Sequence, residues 1–467
     1  MTSAPTTSPT RDDRYYLLEA PITRALVHLA VPMMAAVIVG VVYNLINVGF
    51  IGSLGSTELL AALAFGLPLT GLVMAVGGVF GTGGSTAISR YLGELDAATP
   101  DEAARLRTKI RAYSAFTVWG AAIVAAILAA VGLVLLRPLV GLLGAAGDAF
   151  VPTADYVAVL LAGTPILAVA FAIEQLVRAE GAARASMTAI IASTVANLAL
   201  DVLLILVLHW GVTGAALAIV GSNLVTVGYL ASYLHRRSPE LRIGLRWFRP
   251  DLSTAREVFG VGVSELLMSG FLILTSLVFN NIAVTYGDAM LAAMGIVQRI
   301  VQIPEMLAMG VAMGAMPLLA TSLGAGLRRR TNAALAHSAV WVAAVVGVFA
   351  LPLFVLGNPV LTLFSSDPAV LSLGAFILVA QLVAALFNGF TGLAITWFQA
   401  SGSAVRATVL AVLQGVLLVP VLLAGHAWFG LTGTVWSITV SEVLCCLVAV
   451  VLFMVRPKAA TTVPAMG

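Results

Sequence analysis

Long apolar runs alternate with short polar or charged stretches along almost the whole chain. An α-helix needs roughly 20 consecutive apolar residues to cross a bilayer. Breaks at glycine, proline and clustered charges leave no interval long enough for a soluble domain, so the pattern predicts an all-α integral membrane fold with twelve transmembrane helices. Their approximate ranges are residues 25–51, 59–88, 112–136, 154–180, 186–208, 212–234, 256–284, 290–322, 333–356, 370–398, 404–426 and 430–455.

The basic residues follow the alternation of these spans. If the twelve spans alternate in direction, all of the 24 Lys and Arg residues except Arg137 and Arg299 fall on one side of the membrane. Positively charged loops are retained in the cytoplasm. Both termini are therefore predicted to be cytoplasmic. Because a miscounted span would scramble this distribution, the charges also support the count of twelve.

The amino-acid composition agrees with a lipid environment and limits the kinds of partner that the protein is predicted to bind. Of 467 residues, 60% are hydrophobic and 10% are charged, whereas a soluble domain has roughly 25% charged residues. The net charge is +3, and the basic residues lie in short loops. This distribution is typical of a signal that orients a membrane protein and not of a nucleic-acid-binding surface. The two adjacent cysteines and five scattered histidines lack metal-ligand spacing. The predicted partners are the bilayer and a small-molecule substrate, with no nucleic acid, metal or organic cofactor.

A glycine-rich sequence, GGVFGTGG at 77–84, needs a separate interpretation. A nucleotide-binding loop would continue as Gly-Lys-Ser/Thr, and this sequence does not. No such motif occurs elsewhere in the chain, which excludes an ATP-driven pump built from this chain alone. Glycines at this spacing instead predict close packing of one transmembrane helix against another.

The two halves of the sequence contain an internal repeat. LLAA at 59–62 corresponds to MLAA at 290–293, and GVTG at 211–214 corresponds to GLTG at 430–433, with Ser222 opposite Ser441 in that register. Ordered matches of this kind indicate a duplication of a six-span unit.

Two six-span copies have the same orientation in the membrane. They are therefore predicted to form two six-helix lobes related by a pseudo-two-fold axis along the membrane normal, with the substrate cavity between them. The predicted boundaries are a cytoplasmic tail at 1–24, a first lobe at 25–235, a cytoplasmic linker at 236–255, a second lobe at 256–455 and a cytoplasmic tail at 456–467.

Several short motifs resemble those of the multidrug and toxic compound extrusion (MATE) family, in order and spacing, across nearly the whole chain. They are AVPM (30–33), YNLINVGFIG (43–52), SRYLGE (89–94), RAEG (178–181) and NLALD (197–201). The DinF-type branch of the family is the most similar. The resemblance implies a bacterial inner-membrane exporter of drugs or metabolites, driven by inward protons or sodium through alternating access of two lobes.

Ionisable groups within apolar spans are expensive, roughly 3 kcal/mol each on insertion scales, and so are candidates for function. Asp201, in the fifth span, has no neighbouring base in sequence, and Asn197 lies one turn earlier on the same face. Either the neutral form of Asp201 is a fixed structural group, or its protonation is part of cation coupling. Glu174, in the fourth span, reaches the same depth as Asn197 if the intervening turn centres near 185. It then forms a coupled pair with Asp201; the alternative is a Glu174–Arg178 ion pair.

The resemblance is incomplete at two positions. The DinF-type branch has an acid in the first span where this chain has Asn47, and an Asn where this chain has Glu174. We therefore expect the coupling acid to have moved from the first span to the fourth within one cavity. Pro32 still marks the first span for a kink.

The second half lacks a matching acid pair, since its tenth span contains no acid. Glu265, Glu305 and Glu442 are weaker candidates for cation coupling. Arg299 is expected to lie buried and to pair with Glu305. Coupling is therefore expected in the first half, which favours protons over sodium.

The predicted function is export of organic cations or hydrophobic drugs in exchange for inward protons, by a protein that works as a monomer. The alternatives are sodium coupling and a lipid-linked oligosaccharide flippase of the same superfamily, which would need a large cationic cavity. A membrane enzyme would need a convergent nucleophile or metal set, which the sequence lacks. A channel would not need paired buried acids.

Overall fold

The computed structural model describes residues 9–53, 57–145 and 147–455; side chains at some helical positions, among them 47–53 and 57–65, lie outside the description. All the regular structure described is helical, as the apolar runs predict. The helices are α1 (Pro9–Leu18), α2 (Ile22–Ser53), α3 (Thr57–Ala97), α4 (Pro100–Val134), α5 (Leu136–Leu142), α6 (Phe150–Ala179), α7 (Ala183–Asp201), α8 (Gly211–Arg237), α9 (Leu252–Val284), α10 (Asp288–Gly324), α11 (Arg328–Leu361), α12 (Pro368–Ala400) and α13 (Ala404–Met454). Short 3₁₀ segments lie at Gly147–Ala149 and Leu245–Trp247, and a π-helical segment at Val202–Val207 follows α7.

Within the described residues, 10 helices are long and apolar enough to cross a membrane. The prediction of twelve differs from this count at two places. One is α9, a 33-residue helix that is not among the ten. The other is α13, which counts once although two predicted spans fall within it.

The chain reverses direction inside α13. Gly430 has φ 58° and ψ −131°, a conformation that favours glycine. The arms on either side then pack together, because a Cβ on Gly433 would lie 2.0 Å from the carbonyl oxygen of Gly425. At the far end of the arms, Nη2 of Arg406 donates to the carbonyl of Val455 at 2.8 Å. This antiparallel arrangement agrees with the predicted break between residues 426 and 430.

The helices pack mainly with neighbours from the same half of the chain. In the first half, α6 packs against α3, α4 and α8, and α7 packs against α2 and α8. In the second half, α12 packs against α10 and α13, and α13 packs against α9. Most contacts between the halves are made by α3 with α9 and α10, and by α2 with α10.

Two glycines set the contact between α3 and α9. A Cβ on Gly83 would lie 2.0 Å from the carbonyl oxygen of Val258, and a Cβ on Gly262 would lie 1.9 Å from that of Val79. Because those atoms belong to the backbone, neither site tolerates a side chain unless the helices separate. The glycine-rich stretch therefore has the packing role that its sequence predicts.

Helix α1 joins both halves at one end of the molecule. The guanidinium of Arg330, on α11, donates to the carbonyl oxygens of Leu17 and Tyr16 at 2.9 Å and of Ala20 at 2.6 Å. Arg14 of α1 forms an ion pair with Asp96 of α3. Leu17 is 2% exposed within an apolar cluster that includes residues of both halves.

Candidate functional site

Asp201 is the least exposed acid among the predicted site residues. It ends α7 immediately before the π-helical segment, and it is 2% exposed. Its Oδ2 atom is buried and has no hydrogen-bond partner among the described residues. None of the ion pairs formed by those residues includes it. A buried carboxylate without a base is costly when charged, so protonation changes the free energy of this site strongly.

A polar chain from three helices lies one turn from Asp201. Tyr43 of α2 donates its hydroxyl hydrogen to Oδ1 of Asn197 on α7. The amide of Asn197 donates to the Ser222 hydroxyl of α8 at 3.2 Å, and Ser222 donates to the carbonyl of Ile219 at 2.9 Å. This chain couples the position of α2 to α7 and α8 beside the unpaired acid.

Asn197 and Asp201 share a helix face, as the sequence predicts, but no hydrogen bond between them is among the described contacts. Tyr43 and Ser222 occupy the amide group of Asn197 instead. The hydroxyl groups of Tyr43 and Tyr156 lie close enough to Asp201 to interact with the charge of its carboxylate. Sequence reasoning did not select either tyrosine as a site residue. The sequence does contain a signal that could have pointed to Ser222, because this residue recurs as Ser441 in the internal repeat.

Glu174 is not brought to Asp201, which corrects the coupled pair expected from sequence. It forms an ion pair with Arg178 and accepts from the Ser186 hydroxyl at 3.2 Å. The turn between α6 and α7 centres on Gly181, with φ 85°, and not near 185. At a rise of 1.5 Å per residue, Asp201 is therefore about 20 Å deeper than Glu174. The i,i+4 alternative gives the correct partner for Glu174.

Asn47 and Pro32 are the two site residues predicted in the first span. The Asn47 side chain lies outside the described residues. Pro32 is buried inside α2, which continues through it from Ile22 to Ser53. Since proline donates no backbone hydrogen bond, the helix lacks one internal bond there.

The second half contains separate acids. Glu265 of α9 accepts from the amide of Gln399 on α12 at 3.0 Å, close to Thr82 of α3. Glu442 is 8% exposed and accepts from Gln414 at 3.1 Å. It lies within electrostatic range of Glu305 on α10.

The expected Arg299–Glu305 pair is wrong. Arg299 is exposed and forms no ion pair within the part of the chain that the structure describes. The two residues are six positions apart on α10, which places them about 120° apart around the helix axis. Glu305 instead lies near Glu442. The two residues are far apart along the chain, so the sequence alone could not predict this contact.

Comparison with known proteins decides the family. A family model described as MatE matches residues 32–203 and 261–423. The chain belongs to the MatE family. It is a multi-pass membrane transporter and not an enzyme, as the sequence predicts.

Similar proteins cover nearly the whole MatE chain. The multidrug export protein MepA of Staphylococcus saprophyticus is 33% identical over 448 residues, which are 95% of this chain and 96% of that protein. MepA of Staphylococcus aureus strain MRSA252 is 32% identical over 445 residues, again 95% and 96% of the two chains. These relatives confirm the family resemblance; the assignment to the DinF-type branch stays a prediction.

Solved structures share the fold. The outward-facing conformation of a multidrug resistance MATE family transporter has a TM-score of 0.85 at 22% identity, over 94% of this chain and 96% of that one. A MOP superfamily transporter from Pyrococcus furiosus, described as having reversed polarity in its binding pocket, has a TM-score of 0.84 at 22% identity and the same coverage. The all-helical transporter fold is therefore confirmed.

Proposed function

We propose that this MatE transporter exports organic cations or apolar drugs in exchange for protons, by alternating access of two six-helix lobes. The names of the MepA relatives support a multidrug substrate range. The two separate matches to one family model, 32–203 and 261–423, support the duplication and the predicted lobes at 25–235 and 256–455. The fold-back at Gly430 supports counting two spans within α13.

The Asp201 carboxylate carries the proposal. It is buried, has an oxygen without a partner among the described residues, and lies beside the polar chain from Tyr43 to Ser222. When Asp201 takes up a proton, a buried charge disappears, and the arrangement of α2, α7 and α8 that best solvates that charge loses its advantage. Each proton that crosses a potential of 100 mV supplies about 2.3 kcal/mol. Proton binding here therefore biases the equilibrium between the two access states.

Coupling through Asp201 alone differs from the paired mechanism expected from sequence. Glu174 is neutralised by Arg178, so we assign it a structural role at the α6–α7 turn. A sodium site needs several oxygen ligands converging on one point. The oxygen of Asp201 that lacks a partner favours a proton, and sodium dependence is the alternative that the experiment below separates.

The proposal is tested by ethidium efflux from bacteria that lack their own drug pumps. Asp201→Asn keeps the size of the side chain but cannot exchange a proton. We expect it to reduce efflux at least tenfold, to the level of wild type treated with a proton uncoupler. Asp288→Asn, which changes an exposed acid at the start of α10, should retain activity.

Full efflux by Asp201→Asn would remove this residue from the mechanism. Efflux that survives the uncoupler but stops when the sodium gradient is dissipated would replace protons with sodium. Absence of ethidium efflux from the wild type at normal expression would contradict the proposed substrate class.

Both termini and linker 236–255 are proposed to lie in the cytoplasm, because the basic loops favour that orientation. The chain is assigned to the DinF-type branch on its motifs, and it is proposed to work as a monomer without a cofactor.

A further inference from the structure

A groove of about 530 Å³ lies between α2 and α7, close to α1. On α2 its wall is one helical face, which includes Arg24, Val27, Val31 and Ala35. On α7 its wall includes Arg184 and Met187. The residues on α2 are three to four positions apart, so the face rises by about 16 Å from Arg24 to Ala35. The groove is therefore elongated and runs along the two helices.

One end of the groove is positively charged. Arg24 and Arg184 are exposed, and each lies in the first turn of its helix. Neither guanidinium forms an ion pair with any described residue. The nearby carboxylates have other partners: Asp13 interacts with His28 at 2.9 Å, and Glu174 pairs with Arg178. Two cationic side chains therefore remain available to an anion at the same end of the groove.

Away from the two arginines the groove is mostly apolar, with Tyr16, His28 and Thr188 as its other polar lining residues. It is open to the outside of the helix bundle. Val27 is 45% exposed and Val31 is 44% exposed, in a helix that is long and apolar enough to span a membrane. In a bilayer, such side chains meet acyl chains and not water. The groove thus combines a cationic mouth with a wall suited to hydrocarbon.

We propose that this groove binds an anionic phospholipid of the cytoplasmic leaflet, with its phosphate between Arg24 and Arg184 and an acyl chain along Val27, Val31 and Ala35. Basic pockets between transmembrane helices on the cytoplasmic side recognise such headgroups. The leaflet follows from the proposed orientation, which places the start of α2 and of α7 in the cytoplasm. The cationic mouth repels a cationic drug, and a free phosphate leaves the apolar length of the groove unused.

A lipid in this position contacts helices that lead to the transport site. Pro32, on the groove wall, marks the point where α2 lacks a backbone hydrogen bond. The opposite wall is α7, which ends at Asp201. An acyl chain between α2 and α7 favours whichever helix arrangement leaves the groove open, so the lipid shifts the equilibrium between access states.

The test is native mass spectrometry of the purified full-length protein with dioleoyl phosphatidylglycerol, and with dioleoyl phosphatidylcholine as the uncharged-headgroup comparison. Arg24→Gln/Arg184→Gln should reduce bound phosphatidylglycerol at least tenfold. Arg328→Gln/Arg329→Gln removes the same charge from exposed positions at the start of α11 and should leave binding unchanged. Val31→Trp keeps both arginines but fills the apolar wall, and it should also reduce binding.

Three outcomes would overturn the proposal. The first is equal loss of phosphatidylglycerol from the two double variants. The second is complete displacement by inorganic phosphate or by the acyl-free headgroup, which would make the mouth a small-anion site. The third is unchanged binding in Val31→Trp. Asp201→Asn should bind the lipid normally, so failure of proton coupling and failure of this site are distinguishable.

Discussion

Individual acids inside this transporter differ in the groups that surround them, and that difference underlies the roles proposed for them. Glu174 has an arginine and a hydroxyl group as partners, whereas Asp201 has an oxygen without one in the described structure. A paired charge gains little from taking up a proton, because its partner would then be left buried and unpaired. An unpaired carboxylate changes far more on protonation. Asp201 combines an oxygen without a partner in the described structure with a position inside a membrane span, and this combination supports its proposed role.

Glu180 gives a residue-scale test outside the membrane spans. It lies in the α6–α7 turn, where Ser238 donates to Oε1 and Oε2 is enclosed without a partner among the described residues. Burial is the main cause that raises the pKa of its carboxyl from 4.5 to about 7, and the charges of Glu240 and Asp13 add to it. The native state therefore holds a proton that the unfolded state has lost between these pH values. Stability falls as pH rises through this window and stays lower above it.

Glu180→Gln removes that loss. The variant should therefore gain stability relative to wild type between pH 5 and pH 8, by at most about 3 kcal/mol, and its melting temperature relative to wild type should rise accordingly. Thermal unfolding of purified protein at both pH values measures this. The exposed Glu19→Gln is the matched control. An unchanged difference between Glu180→Gln and wild type across the two pH values would show that Glu180 ionises normally.

At the scale of the helices, the sequence predicts what hydropathy determines and misses what depends on single turns. The predicted spans overlap the helices throughout, because apolar length and backbone hydrogen bonding dictate a helix in lipid. The α6–α7 turn centres four residues earlier than pairing of Glu174 with Asp201 requires, and the positive φ of Gly181 that sets it leaves no hydropathy signal. That shift adds about 12 Å to the difference in depth between Glu174 and Asp201. Bonds such as Tyr43 to Asn197 join helices distant in sequence, so one sequence could not predict them.

The α3–α9 contact gives an element-scale test. Gly83→Ala should destabilise the protein by about 1–3 kcal/mol, because the added methyl meets the backbone of Val258 and the helices must separate. Gly71→Ala is the matched control on the same helix, since a Cβ there has no atom within 4 Å. Chemical or thermal unfolding in detergent compares the two variants. Equal stability of both would mean that α3 and α9 are not packed at the distance described.

For the whole molecule, the important feature is how the halves are held at the end that carries α1. Contacts of α2 with α10 and of α3 with α9 and α10 join the halves directly. Helix α1 adds a bridge, because it binds Asp96 of α3 and Arg330 of α11 at once. An alternating-access transporter must break such contacts to open at this end. The described conformation is therefore closed where α1 lies, and under the proposed alternating access the bridge has to release during the cycle.

Arg330→Gln tests this bridge. The guanidinium satisfies three carbonyl oxygens at the C-terminal end of α1, and no shorter uncharged side chain can reach all three. Hydrogen bonds to a charged group contribute roughly 1.5–3 kcal/mol each. We therefore expect amide hydrogen exchange in residues 13–20 to accelerate at least tenfold, while exchange in α6 and α12 stays near wild type. Arg329→Gln, an exposed neighbour, should change neither. Unaltered exchange in α1 of Arg330→Gln would mean that Leu17 and its apolar neighbours hold the helix without the arginine, and that closure of this end depends on the α2–α10 and α3–α10 contacts instead.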